Sequence, residues 1–431
     1  MNAQNTLSTP KTNARSMNLG NQKLTLFLLL GFTGYQLFLC FLNTRGFSIS
    51  DNILTAAEIF LLALTAWRVF PTCKTTEFIS VAFLMVYFLL LCAVRGAIDL
   101  EAPRNILIIF FAYALGRASP NKEVANKIVW IVSVIVLFFA AFEYFFPDIY
   151  LSNFNILQYH ISRGMTPETA KHWMQQDFSV NGLRQSGRNL LPFLGYQRVS
   201  SVFLEPVSMG NYAIILTAWA LSFDKKDKRT TLYHLVVALI LIVASDSRFA
   251  STLFLFLVLL RFIPMARGRG VVMLLPLIAI GGLVVFTLLG LGNPSDDTLT
   301  GRLARSGIAT LNMAFAQFLG LGIPDALGDM GVAYTLEHFG VFLCIVLWAV
   351  FALPNIKDIY ASRYRMLIAV YCLAILMVSG TSFYSSKTAA LAWFLYGVLV
   401  NSGKNTSEHK KPLIQQLVPS PKPVIRDRLR L

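Results

Sequence analysis

The sequence predicts an all-α polytopic membrane protein with about twelve transmembrane helices and two larger external loops. Three observations lead there. The 431 residues are 55% hydrophobic and only 14% charged, and their mean hydropathy is +0.60. The apolar residues form long uncharged stretches rather than alternating faces, and such stretches satisfy their backbone polar groups in lipid only as helices. The basic residues fall at the ends of these stretches, where they set orientation. No long polar block remains to fold alone, so the chain reads as one membrane domain over 23–401. It is flanked by a polar, disordered tail over 1–22 and a basic tail over 402–431, both cytoplasmic.

In order, the apolar spans are Leu24–Asn43, Asn52–Phe70, Phe78–Val94, Asn105–Gly116, Ile128–Phe146 and Val202–Phe223. The second half adds Leu232–Ala244, Phe249–Ile263, Val271–Leu291, Val332–Leu353, Met366–Val378 and Thr388–Val400. With the N-terminus inside, twenty-five of the 37 Lys and Arg residues lie on the cytoplasmic side, among them the run from Lys225 to Arg229. The positive-inside bias therefore favours both termini in the cytoplasm. Two external segments are longer than a turn, at about 147–201 and 292–331. The first carries a helix start at Thr166-Pro167-Glu168, with a Thr cap and Pro at the first helical position. In the second, Thr300–Leu319 has apolar residues at helical spacing, as an interfacial helix does.

The net charge of +15 is distributed as a topology signal, not as a nucleic-acid surface. Five cysteines, Cys40, Cys73, Cys92, Cys344 and Cys372, show no CxxC spacing, which argues against a disulfide framework or a zinc site. No Walker loop, GxSxG, HExxH or dinucleotide fingerprint is present, so energy must come from the substrate or from an ion gradient.

Against the bias, twelve basic residues fall outside, and ten are arginines: Arg45, Arg95, Arg104, Arg163, Arg184, Arg188, Arg198, Arg248, Arg302 and Arg305. Only Lys171 and Lys387 accompany them. A planar, permanently charged fork suits phosphate; the plainer alternative is a set of solvated loop charges and headgroup contacts.

The segment from Arg198 to Tyr212 leads into the sixth span, with Glu205 one turn below the surface, followed by Pro206. A carboxylate there needs a partner or a wet cavity. Glu205 is a general base, a hydrogen-bond partner for substrate, or half of a structural pair with Arg198 or a neighbour. The tight turn Ser245-Asp246-Ser247-Arg248 sets the Arg248 guanidinium at headgroup height, unless Asp246 pairs with it. Arg302 and Arg305, three apart, share a helix face. Asp296-Asp297 is a helix cap or a metal ligand pair, and His338 a second candidate base or a packed histidine.

The order Arg198…Ser201-x-Phe203-x-Glu205-Pro206…Gly210, then Ser245-x-Ser247-Arg248, then Gly301-Arg302…Gly320-Leu-Gly322 and Asp329…Tyr334…Phe339-Gly340 resembles the Wzy-type polysaccharide polymerases. These belong with the O-antigen ligases in one superfamily. The likeness covers roughly residues 195–345. It implies a multi-pass glycosyltransferase of the bacterial inner membrane, working at the periplasmic face. Such an enzyme moves a growing glycan from undecaprenyl pyrophosphate onto another lipid-linked repeat unit to make an exopolysaccharide or O-antigen chain. It further implies no metal or other cofactor, Glu205 as the acceptor-side polar residue or base, and Arg198, Arg248, Arg302 and Arg305 as pyrophosphate or glycan contacts. Together with the residue reading, the catalytic candidates are Glu205, Arg248 and His338 and the substrate-binding candidates Arg188, Arg198, Arg302 and Arg305; a chain-length-regulating co-polymerase and export machinery are the implied partners. The ligases usually carry a His in the second large loop; here His338 already lies in the following span. The alternatives are an O-antigen ligase and a lipid-linked oligosaccharide flippase, the latter predicting paired halves and mid-bilayer ionisable residues, of which Glu58 is the clearest. A metal-dependent transferase would want acids in the first external loop, where only Asp51 stands.

Overall fold

The computed structural model describes residues 19–119, 122–166, 168, 182–183, 187–224, 227–263, 268–296, 298–324, 330–356, 358–380 and 382–408, with 19–20 and 402–408 as backbone only. The described residues are helical but for loops, short 3-10 turns and one isolated bridge, Leu183 with Gln197. The helices are α1 Leu19–Thr44, α2 Asp51–Val69, α3 Thr75–Arg95, α4 Glu101–Arg117 and α5 Lys122–Phe145. Two short ones follow, α6 Pro147–Asn153 and α7 Ile156–Ser162. Then come α8 Pro206–Ser222, α9 Lys228–Ser245, α10 Arg248–Leu260, α11 Arg269–Leu288 and α12 Leu299–Leu311, with one separate helical turn, Phe315–Phe318, after it, so the segment Thr300–Leu319 is not one helix. The last three are α13 Gly331–Ala352, α14 Ile359–Leu376 and α15 Ser386–Glu408.

Eight helices are long and apolar enough to cross a membrane: α1, α2, α3, α5, α9, α11, α13 and α14. This is a multi-pass helical membrane protein. The expected twelve spans each coincide with a helix, but α4, α8, α10 and α15 fall outside that set of eight. In α3 and α11 only 11% of the apolar window is buried within the protein. Phe83, Leu89, Leu277 and Val285 stand exposed there, as side chains facing lipid do.

The central element is α8. Every residue from Ser208 to Ser222 is buried, and α9, α10, α14 and α15 all pack on it. The most extensive helix pair is α4 with α15. A Cβ on Gly116 would strike the Phe394 carbonyl, and one on Gly397 the Tyr113 carbonyl. Two small residues thus let the backbones touch.

Charges pair at both ends of the bundle. At one end, Arg117 at the close of α4 meets Glu77 at the start of α3, and Lys122 meets Asp358 at 3.2 Å. The opposite end carries Arg45, Asp51, Glu101, Glu205, Arg248 and Ser386, at the ends of six different helices, with Asp99 in the loop before Glu101. The helix expected from Thr166 lies largely outside the described residues, as do Lys171, Arg184 and Asp297. The cap of α12 is Thr298, whose hydroxyl accepts from the Gly301 amide at 3.0 Å.

Candidate functional site

Glu205 is the N-cap of α8, and Pro206, which has no amide to donate, opens the helix. The preceding turn is conformationally costly. Ser201 and Leu204 hold φ at 54° and 60°, and Leu191 and Asp246 at 52° and 47°. These are all the non-glycine residues with positive φ among those described, each costing about 1–3 kcal/mol, so surrounding structure must hold them there. Glu143 of α5, 4% exposed, accepts the Ser200 and Ser201 amides at 2.9 and 2.6 Å and the Ser200 hydroxyl at 3.0 Å. Tyr150 donates to the Ser201 carbonyl at 2.9 Å, and Ser201 Oγ donates to the Val136 carbonyl at 2.7 Å.

The partner of Glu205 is Lys387, in the first turn of α15, and not Arg198. Lys387 Nζ donates to the Phe203 carbonyl at 3.0 Å and lies 3.8 Å from Glu205 Oε2. Ser208 donates to the same carboxylate oxygen at 2.8 Å. The pair is asymmetric: the Glu205 side chain is 42% exposed and the Lys387 side chain 5%. His160 of α7 is within electrostatic reach of Glu205, Arg163 and Lys387, and its Nε2 is buried with no hydrogen-bond partner. Burial drives the His160 imidazole down to about 4, although Glu205 pulls it the other way. Arg163 is held by Asp51 at 2.7 Å.

From Lys387 the polar layer continues sideways. Ser386 donates to Glu58 at 3.0 Å, Tyr35 donates to the same oxygen, and Arg104 meets the other carboxylate oxygen at 3.1 Å. Glu58 is thus triply partnered rather than isolated. Arg104 also lies 3.9 Å from Glu101, which accepts from Tyr334 at 2.7 Å. The Tyr334 and His338 rings lie 4.2 Å apart between centroids, tilted by 38°, and His338 Nδ1 meets Asp99 at 2.7 Å. Burial alone would raise the Asp99 carboxyl, but hydrogen bonds from His338 and from the Ala102 and Glu101 amides outweigh it, and the net shift is downward.

Gly320 and Gly340 explain the third sequence motif. Gly340, at φ 70° and ψ 152°, breaks α13, and Gly320, at φ 75°, lies so close that a Cβ on it would stand 2.7 Å from the Gly340 nitrogen. The break frees carbonyls, and side chains claim them. Arg95 donates to Glu337 and His338 at 2.7 and 3.1 Å and to Gly320 at 2.8 Å, while Tyr87 donates to Phe339 at 2.7 Å.

The arginines of the sequence reading separate into groups. Arg188 donates to the Gln197 carbonyl at 2.5 Å and to the Val243 carbonyl, and Arg198 to the Ser245 carbonyl at 2.9 Å. Both are buried and finish the C-terminus of α9, a favourable place for cations. Asp246 accepts the Asn189 and Leu190 amides at 3.0 and 2.7 Å, pinning the long loop to the same helix end. Arg248 opens α10. A Cβ on Gly210 would lie 2.8 Å from Ser247 Cβ, so this glycine seats the start of α10 against the first turns of α8. Among the described residues nothing pairs with the Arg248 guanidinium, which is partly exposed. Arg302 and Arg305 are half-buried on α12, which packs on α11 and α13.

Glu205 and Arg248 therefore sit on helices packed together, α8 and α10, while His338 joins the layer through Asp99. Sequence reasoning missed Lys387, Glu143 and His160 as site residues. Glu143 carried a signal, an acid inside an apolar span. Lys387 was visible only as one of two lysines expected outside, and His160 had no pattern around it. A cavity of about 320 Å³ lined by Leu151, Ser152, Asn155, Leu157 and Gln158 includes none of these charged groups. No family model, curated protein or solved structure matches the chain.

Proposed function

We propose that the chain is a membrane glycosyltransferase that polymerises oligosaccharide repeat units carried on a lipid pyrophosphate. It would span the bacterial inner membrane twelve times, both termini in the cytoplasm, and act at the periplasmic face. The supporting observation is an open carboxylate, Glu205, and a partly exposed guanidinium, Arg248, that has no partner among the described residues. They sit on helices packed together and are held by strained backbone. A glycosyl transfer from a pyrophosphate needs a group to orient and deprotonate the acceptor hydroxyl and a cation to take up leaving-group charge. In this reading Glu205 serves the acceptor and Arg248 the pyrophosphate, with Arg302 and Arg305 further contacts to lipid-linked substrate. A co-polymerase that sets chain length is the partner such an enzyme would use. The transporter alternative is less well supported. Broken helices in transporters turn freed carbonyls toward substrate, whereas Arg95 and Tyr87 occupy those of α13.

The test is reconstitution. Purified protein given the lipid-pyrophosphate-linked repeat unit of its host, without nucleotide or other protein, should yield a ladder of lipid-linked oligomers spaced by one repeat. Glu205→Gln should remain monodisperse and make no ladder. Transport of the same substrate across proteoliposomes without any ladder would overturn the reading.

A further inference from the structure

Lys387 occupies an unfavourable place for a lysine. Its side chain is 5% exposed, so its ammonium has lost most of its water. It also sits in the first turn of α15, where the helix dipole repels a cation. Its own helix offers no compensation; that comes from the Phe203 carbonyl at 3.0 Å and Glu205 at 3.8 Å, across the bundle on the strained turn. The other charges that reach Lys387 are Arg163, beside α7, and Glu58 of α2. Those acting on Glu205 besides Lys387 are His160 and Arg163. The ammonium is buried and the carboxylate is open, so the lysine is shielded from substrate and the carboxylate is not. A bridge built only for stability would gain nothing from leaving one partner open.

We propose that Lys387 is a positioning residue for Glu205: anchored on the Phe203 carbonyl, its ammonium aims the Glu205 carboxylate at the acceptor hydroxyl and keeps it ionised. The inference rests on the polymerase reading. In the step concerned, the acceptor O–H gives its proton to Glu205, and its oxygen forms the new bond to the donor anomeric carbon. The bond from that carbon to the pyrophosphate oxygen breaks, and the electron pair leaves with the pyrophosphate. Lys387 touches none of the reacting atoms and acts through Glu205.

The test compares pH–rate profiles of the wild type, Lys387→Met and Lys387→Arg on the lipid-pyrophosphate-linked repeat unit, each checked for monodispersity in detergent. Without the cation, the carboxylate should need a higher pH to ionise, and the acid limb of Lys387→Met should move up by about one pH unit. Its kcat should fall roughly tenfold to a hundredfold with KM little changed. Lys387→Arg keeps a cation at the Phe203 carbonyl and should keep the wild-type acid limb with a smaller loss of kcat. A monodisperse Lys387→Met protein that loses activity equally at every pH would make Lys387 a brace and overturn the proposal. If Lys387→Met does not fold, an acid limb displaced in Lys387→Arg despite the retained cation does the same. A wild-type protein that makes no oligomer removes the polymerase reading instead, and the role of Lys387 falls with it.

Discussion

At the scale of single residues, the chemistry turns on which charges are already spent. Arg188, Arg198 and Arg95 give their donors to backbone carbonyls, and Arg163 and Arg104 to carboxylates. Arg248 shows no such commitment among the described residues. A guanidinium presents two parallel N–H groups to a phosphate, an ammonium only a point charge. Arg248→Lys should therefore leave folding intact and lower kcat/KM at least about tenfold in the ladder assay, because paired recognition is lost while charge is kept. Near-normal oligomer from that variant would reduce Arg248 to a headgroup contact. The residue types were legible in the sequence, since an Arg excess in the segments expected to be external is visible by counting. Their division of labour was not, because whether an arginine is spent depends on carbonyls that only the folded chain exposes, such as the end of α9 or the break at Gly340.

At the scale of elements, the broken helix and the short helix α7 show different degrees of legibility. Gly320 and Gly340 were readable as a motif, since glycine at fixed places in an otherwise apolar run signals backbone needs; the need itself, two backbones in contact, is a tertiary fact. Helix α7 had no sequence signal beyond Asn155, which caps it by accepting the Gln158 amide at 2.9 Å. Yet α7 delivers His160 to the site and gives it a titration outside the ordinary range. The folded pKa of about 4 lies below the usual histidine value, so between about pH 6.5 and 4 the unfolded chain binds the proton more readily. This contribution to stability is fully present above about pH 6.5 and is lost as pH falls towards 4. Between pH 7 and pH 5 the wild type should lose about 2 kcal/mol on this account. His160→Gln should flatten the dependence, measured as thermal midpoint in detergent at both pH values. An unchanged slope would show that another group controls that window.

At the scale of the whole molecule, the sequence marked where helices lie more surely than which of them meet lipid. The four helices that fall outside the eight apolar spans are informative about why. Helix α10 has 13 residues, about 20 Å at 1.5 Å per residue, short of a hydrocarbon core of about 30 Å. Helices α8 and α15 are buried over nearly all their described length. A helix surrounded by protein can carry Ser208, Asn211 and Thr217 where a lipid-facing one cannot. Buried polar residues thus mark the centre of the bundle, next to the site, and say little about whether the helix crosses. If all twelve cross, the helix ends alternate sides, and Glu205, Arg248 and Ser386 share the face opposite Arg117 and Lys122. That arrangement is testable without any substrate. With Cys73, Cys92 and Cys344 replaced by Ser and the buried Cys40 and Cys372 kept, one cysteine introduced at Ser152, exposed on α6, should react in intact cells with a maleimide that cannot cross the inner membrane. One introduced instead at Lys228, exposed at the start of α9, should react only after the membrane is opened. The reverse pattern would put Glu205 on the cytoplasmic side and remove the periplasmic reaction. Labelling of both positions in intact cells would mean that α8 does not cross, and the bundle would have to be redrawn around a re-entrant centre.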